Sequence, residues 1–255
     1  HLPPVSPTSF SSTSPVDINP PVLTTPVATQ IVPSSPVTLP HIATLDPSLL
    51  PRTFTLTSID SISHNTRLLY FSPTSTSSSP LIIPIGHHIT LTIQQHNDYI
   101  KRQYTPISNV DGKFVLLVKK YNDGIVSSYL HNLQINDTIS VTGPFGSLEY
   151  KMNRYENILM LAMGTGVTPM YQIINAITNN SHDHTIVNML YSNRNETDIL
   201  LKKELDTIIQ KDKNIHIEYV LSNPSNTSST QYIGRIDKNM IAKYIKQRNI
   251  PIPIP

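Results

Sequence analysis

Apolar and polar residues alternate in short runs from residue 52 to about residue 150, and the pattern then changes. Alternation of this kind puts one face of a strand inside and the other outside. It predicts strands over 53–58, 67–71, 89–93, 101–107, 114–120 and 138–142, with one short helix over 126–133. Pro84-Ile85-Gly86 turns the chain into the 89–93 run, and Gly143-Pro144-Phe145-Gly146 closes the last of the set. A polar low-complexity insert at 72–80 reads as a surface loop. Many short strands at this spacing predict a small antiparallel barrel.

After Tyr150 the run Ile158-Leu159-Met160-Leu161-Ala162-Met163 is apolar throughout, as expected of a parallel strand buried on both faces. Gly164-Thr165-Gly166-Val167-Thr168-Pro169 then opens a helix through about Ile177. Strands over 185–191 and 215–221 alternate with helices near 198–211 and 237–247. Strand alternating with helix predicts a parallel, doubly wound α/β sheet. The closing Ile-Pro-Ile-Pro-Ile-Pro cannot donate a central ladder, so the second domain is expected to be incomplete at its C-terminus.

Residues 1–51 are rich in Pro, Ser and Thr, with Asp17 and Asp46 as their only formal charges, and read as an extended or disordered linker. The domain boundaries expected are therefore 1–51, 52–150 and 151–255. The formal charge of +2, without a basic block, argues against nucleic acid. The absence of Cys excludes disulfides, thiolate metal sites and Cys nucleophiles. No apolar run reaches the length of about 18 residues that spans a membrane.

The candidate chemistry lies in Arg102-Gln103-Tyr104-Thr105-Pro106-Ile107-Ser108. Read as a strand, it offers a cation, an aromatic face and a hydroxyl in one direction. That set suits a ligand with a phosphate and a flat, polar ring, such as a flavin dinucleotide. Gly164 and Gly166, between a buried strand and a helix, let backbone amides approach a phosphate or the carboxamide end of a dinucleotide, although an isolated G-x-G is unspecific. Ser127 is either an ordinary N-terminal cap or a hydroxyl offered to a pyrophosphate. His87-His88 and His182-Asp183-His184 read as surface residues, with no metal assigned.

Taken in order, Arg102-x-Tyr104-Thr105-x-x-Ser108, Gly124-x-x-Ser127-x-Tyr129-Leu130, Gly143-Pro144-x-Gly146 and Gly164-Thr165-Gly166-x-Thr168-Pro169-Met170 resemble the NADH-cytochrome b5 reductase family, within the ferredoxin reductase-like flavoproteins. Gly234-Arg235-Ile236 adds to the likeness, which covers about 52–246. The resemblance implies a Greek-key, FAD-binding barrel followed by an NAD-binding α/β domain. It implies that Arg102 and Gln103 belong to the FAD site and that Arg102 holds the pyrophosphate. Tyr104 would pack on the flavin, with Thr105 near its reactive edge. Leu117 and Lys119 would border the cofactor, and Ile125, Val126 and Ser127 would wrap its phosphates. Thr168 would sit between flavin and nicotinamide, while Gly164, Thr165 and Gly166 would accept NADH. Asp198 would disfavour a 2′-phosphate by like-charge repulsion.

By the same resemblance, NADH reduces the flavin, which passes single electrons to a separate acceptor such as cytochrome b5. Tyr104, Thr105 and Thr168 would position the reactants. An intracellular place is implied, cytoplasmic or at the surface of an endoplasmic reticulum or mitochondrial membrane. Two features depart from the family pattern: His87 stands where a Gln is usual and Ile125 where a basic residue is frequent. A C-terminal Cys-Gly-Pro-Pro-like segment is also absent, which leaves a second reading: a flavin-binding or interaction module without reductase activity.

Overall fold

The computed structural model describes residues 46–75, 80–225 and 230–251. The expected linker up to residue 45, residues 76–79 of the insert and the terminal residues 252–255 lie outside the described residues. Ser72 and Pro73, expected in that surface loop, end a strand instead. After a short 3₁₀ turn at Pro47–Leu49, seven antiparallel strands follow: β1 (Arg52–Ser63), β2 (Thr66–Pro73), β3 (His88–Gln95), β4 (Asp98–Tyr104), β5 (Ser108–Val110), β6 (Lys113–Lys119) and β7 (Thr138–Phe145). Helix α1 (Ile125–Asn132) lies between β6 and β7. The strands run in the order β4-β3-β7-β1-β2-β6-β5, with β7 inserted between β1 and β3 in Greek-key manner.

The strand expected over 101–107 ends early, at Tyr104, and the chain resumes as β5 only at Ser108. β4 ends at Tyr104 because Pro106 has no N–H to give a ladder and confines Thr105 to extended backbone. β4 and β5 are the two free edges of the curled sheet, and Thr105-Pro106-Ile107 joins them. Inside the curl, Phe54 stands edge-on to Phe114 with centroids 4.8 Å apart, and Phe71 lies 5.3 Å from the same ring. All three are buried, with Leu56, Leu69, Leu91 and Leu116 around them. His131 of α1 is also buried there, its Nε2 3.0 Å from the carbonyl of Val118.

The second half contains β8 (Asn157–Met163), α2 (Val167–Thr178), β9 (Ile186–Asn193), α3 (Lys202–Lys211), β10 (Ile215–Leu221), the two-residue β11 (Tyr232–Ile233) and α4 (Lys238–Arg248). The parallel sheet runs β11-β10-β9-β8. Helices α2 and α3 pack on one face, over Met160, Ala162, Val187 and Met189, and α4 packs on the other, against Leu190 and Val220. The expectation that residues 158–163 are buried on both faces is corrected. β8 is an edge strand, and Leu161 and Met163 are 43% and 70% exposed. β9, paired with β8 on one side and β10 on the other, is the strand buried along almost its whole length. Helix α3 starts four residues later than expected, because Leu201 takes a left-handed conformation (φ 56°) after a 3₁₀ turn at Glu196–Asp198.

The two halves share one core. Ile107 and Leu117 of the curled sheet are buried in the same cluster as Met160, Val167, Ile173 and Tyr191 of the parallel sheet. Tyr150, where the halves meet in sequence, donates its hydroxyl to Asp183 (2.6 Å), and the same oxygen lies 3.0 Å from the hydroxyl of Thr185. This makes Asp183 a buried anchor, contrary to the surface position expected of it.

Two outcomes follow from this packing. Leu117→Ala is expected to lower the free energy of unfolding by about 2–4 kcal/mol in urea denaturation, the range for a truncated core leucine; a loss below about 1 kcal/mol would mean the shared core is loosely packed. Burial first, and then the charges of Arg67 and Lys120, lower the pKa of His131, opposed by its bond to Val118. A depressed folded pKa means that its stabilising contribution is complete above the unfolded value of about 6.5 and is lost as pH falls below it. The urea midpoint should therefore fall from pH 7 to pH 5, and fall less steeply in His131→Gln, which keeps a donor for Val118.

Candidate functional site

Two cavities adjoin where the halves meet. The first, of 470 Å³, is lined by Arg102, Gln103 and Tyr104 of β4, by Thr105 beyond it, by Leu117 and Lys119 of β6, and by Gly124, Ile125, Val126 and Ser127. Thr165 and Thr168 close it from the parallel-sheet side. The second, of 700 Å³, lies at the carboxyl ends of the parallel strands, where ligands bind in open α/β sheets. Gly164, Ser192, Asn193 and Ser222 line it, with Arg194, Asp198 and Arg235. Lys119 and Tyr121 belong to both walls.

Pairing register explains how β4 supplies its groups. Arg102 stands opposite Leu91 and Tyr104 opposite Ile89, both core residues, so these two side chains share the inner face. Gln103 pairs with Thr90 and takes the outer face, and it also lines a further cavity of 550 Å³ with Lys101, Arg102 and Phe145. Thr105 does not continue the alternation. It reaches the cavity because the strand has already ended. The guanidinium of Arg102 donates to the carbonyl of Lys101 (2.8 Å), and no carboxylate among the described residues pairs with it. Burial pushes the Tyr104 phenol up to about 12, partly offset by Arg102, so it remains a neutral donor near neutral pH.

Neither α1 nor α2 has a side-chain cap at its N-terminus, in contrast to α4, where Asp237 accepts from the amide of Met240 (2.8 Å). Ser127 is thus not the N-cap. That position belongs to Gly124, and Ser127 sits in the first turn. Its Oγ donates to the carbonyl of Gly124 (3.1 Å) and accepts from the amide of Tyr121 (3.3 Å). A Cβ on Gly124 would lie 2.2 Å from that Oγ, so the close turn requires glycine. With the first-turn amides of α1 uncapped, the Arg102 cation without a carboxylate partner among the described residues, and the flat Tyr104, the first cavity has the donor set to hold an anion attached to an aromatic ring. These residues fit FAD.

At the first β–α turn, Gly164 (φ 49°) lines the second cavity, and the hydroxyl of the buried Tyr191 holds its carbonyl (3.0 Å). The Thr168 hydroxyl donates to the carbonyl of Thr165 (3.1 Å), and Tyr121 and Thr165 bring their hydroxyls within 3.3 Å. Gly166 lines neither cavity, and a Cβ there, or on Gly164, would meet no atom of the chain. The space in front of this turn is open to a ligand.

Asp198 does not stand as a free carboxylate. Its Oδ1 accepts from Lys119 Nζ at 2.7 Å, and both side chains are largely buried. Removing one partner from such a pair costs about 1–3 kcal/mol, between the values for exposed and fully buried pairs. Three further residues at the cavities were not assigned by sequence. His88 lines the first cavity, with its Nε2 buried, instead of lying on the surface. Tyr121 has no motif. Arg235 lines the second cavity next to Gly234 (φ 112°); the family likeness includes Gly234-Arg235-Ile236 without giving Arg235 a place in the site.

Comparison with known proteins bears on this geometry. Residues 53–150 match the oxidoreductase FAD-binding domain and residues 160–252 the oxidoreductase NAD-binding domain. NADH-cytochrome b5 reductase 1 of Dictyostelium discoideum is 42% identical over 182 residues, which cover 71% of this chain and 63% of that protein. The protein of the same name from Aspergillus oryzae is 41% identical, over 74% of this chain and 67% of that one. The chain belongs to the NADH-cytochrome b5 reductase family. Among solved structures of the family, the cytochrome b5 reductase domain of Ulva prolifera nitrate reductase superposes with a TM-score of 0.71 at 30% identity, covering 78% of this chain and 83% of that one. The chain spans somewhat under two thirds of the length of the first curated NADH-cytochrome b5 reductases it matches, 63% and 65% of two of them. The comparisons give no support to a family member reduced to a binding module.

The reductase-like turn at 164–166 gives one expected outcome. Gly164→Ala should cost about 1–2 kcal/mol through its left-handed backbone alone, since its Cβ meets nothing. Gly166→Ala, at an ordinary φ, should leave the thermal midpoint unchanged. Weaker NADH binding in both variants, by calorimetry, would show that the ligand passes this turn; unaltered binding in both would remove the turn from the site.

Proposed function

We propose that this chain is an NADH-dependent FAD oxidoreductase that passes electrons to a separate protein acceptor of the cytochrome b5 kind. The observation that carries the reading is the common wall of the two cavities. Lys119 and Tyr121 border both, so a ligand held by the flavin motif and one held at the strand ends would meet beside Thr105 and Thr168. Bound FAD would supply the redox chemistry, accepting a hydride from NADH and releasing single electrons.

The chain's own part is binding and alignment. Arg102 and the uncapped start of α1 would neutralise the pyrophosphate. Tyr104 would cover the ring as a neutral phenol. Thr165 and Thr168, tied to one another through a backbone carbonyl, would present hydroxyls on the nicotinamide side. The names of the relatives support NADH as donor and cytochrome b5 as acceptor. Because Lys119 already neutralises Asp198, and Arg194 and Arg235 stand in the same cavity, selection against NADPH would rest on less repulsion than a free carboxylate gives.

The test is anaerobic addition of NADH to the FAD-loaded protein, followed through the visible flavin absorbance. Rapid bleaching, faster than with NADPH, and subsequent reduction of added cytochrome b5 are expected. Flavin that is bound but stays oxidised would overturn the reductase reading.

A further inference from the structure

Gln172 lies on α2 one turn after Thr168, on the same face of the helix. Its carboxamide reaches across to the curled sheet and makes two backbone contacts. The amide of Gly86 donates to Oε1 at 2.6 Å, and Nε2 donates to the carbonyl of Pro106 at 3.3 Å. The orientation of the carboxamide is determined by its partners: turned over, it would set N–H against N–H and oxygen against oxygen.

Both partners are confined. Gly86 (φ 92°) sits so close to Leu148 that a Cβ would lie 2.5 Å from its carbonyl oxygen. Pro106 adjoins Thr105 in the segment that joins the free edges β4 and β5, and the next residue, Ile107, donates to the carbonyl of Val115 at 2.9 Å and is buried in the shared core. Pro106 has no N–H, so its carbonyl is the only backbone hydrogen-bonding group it offers. A single side chain of the parallel-sheet half therefore grips the residue beside Thr105, four positions from Thr168 on the same helix.

We propose that Gln172 is a positioning residue that sets the spacing between Thr105 and Thr168, and with it the approach of nicotinamide to flavin; this rests on the reductase reading above. Gln172 lines neither cavity, so it acts through these two backbone groups and not by contact with a cofactor. A displacement of about 1 Å at reacting atoms costs up to about a hundredfold in rate, so a clamp at this point acts on the rate of hydride transfer more than on affinity.

Two variants separate the halves of the clamp. Gln172→Leu removes both contacts. Gln172→Glu keeps the acceptor for Gly86 and sets a carboxylate against the Pro106 carbonyl. Hydrogen exchange at the Gly86 amide should accelerate about five- to tenfold in the Leu variant, as the loss of one hydrogen bond implies, and stay protected in the Glu variant. With NADH saturating, the rate of anaerobic flavin reduction should fall about ten- to a hundredfold in both. FAD content and NADH affinity should be those of the parent, and the deuterium isotope effect on reduction should rise. Parent-like exchange at Gly86 in the Leu variant, or a parent-like reduction rate in the Glu variant, would overturn the proposal. Loss of FAD from both would overturn it too, since Gln172 would then support the fold. A parent protein that NADH does not reduce would instead remove the reductase reading, while exchange at Gly86 would still report on the clamp.

Discussion

The arrangement of the site depends on a backbone constraint at Pro106. A proline there cannot extend the ladder of β4, so the curled sheet stops at Tyr104 and resumes as β5 on its opposite edge. The three residues between them join the two edges of the sheet, and Tyr104 before the break and Thr105 within it line the same cavity. Had the strand continued, Thr105 would have pointed away from Tyr104. The break places an aromatic ring and a hydroxyl together, and the bond from Ile107 to Val115 fixes the segment to β6.

The second half acts on the same segment. Ile107 and Leu117 are buried among residues of α2, β8 and β9, so the interface between the halves is itself core and resists sliding as a core does. Polar links at its margin set finer register: Gln172 on Pro106 and Gly86, Lys119 on Asp198, Tyr121 on Thr165. Each joins a residue of the curled-sheet half to a residue of the parallel-sheet half. Relative motion of domains is the usual expectation for a two-domain chain, and a shared apolar core is the condition under which it is suppressed.

The sequence made the elements legible, because most strands here are half-buried and alternate cleanly. The span of β10 was read to the residue, and α1 and α4 to within one at each end. Burial was less legible. The run at 158–163 is more apolar than β9, yet Leu161 and Met163 are exposed because strand order, which no local pattern encodes, puts β8 at an edge. The flavin motif was found as a set of residue types, but the reason that Thr105 joins the set was misread as alternation. Contacts that span the chain were invisible: Lys119 and Asp198 are 79 residues apart, and Gln172 is 66 from Pro106 and 86 from Gly86. Nothing local distinguishes that glutamine from any other on a helix.

Charge in the site follows a related logic. The cations of the second cavity are unequal, because Lys119 is committed to Asp198 at 2.7 Å whereas no carboxylate among the described residues pairs with Arg194. An incoming dinucleotide phosphate would therefore meet Arg194 and Arg235 first, and would compete with Asp198 only if it approached Lys119. A committed cation draws less on an anionic ligand but keeps its own position, since moving it would strand a largely buried carboxylate. Lys119 thereby forms a fixed part of the wall between the two cavities, and cations without a carboxylate partner among the described residues lie in each, Arg102 in the first and Arg194 in the second.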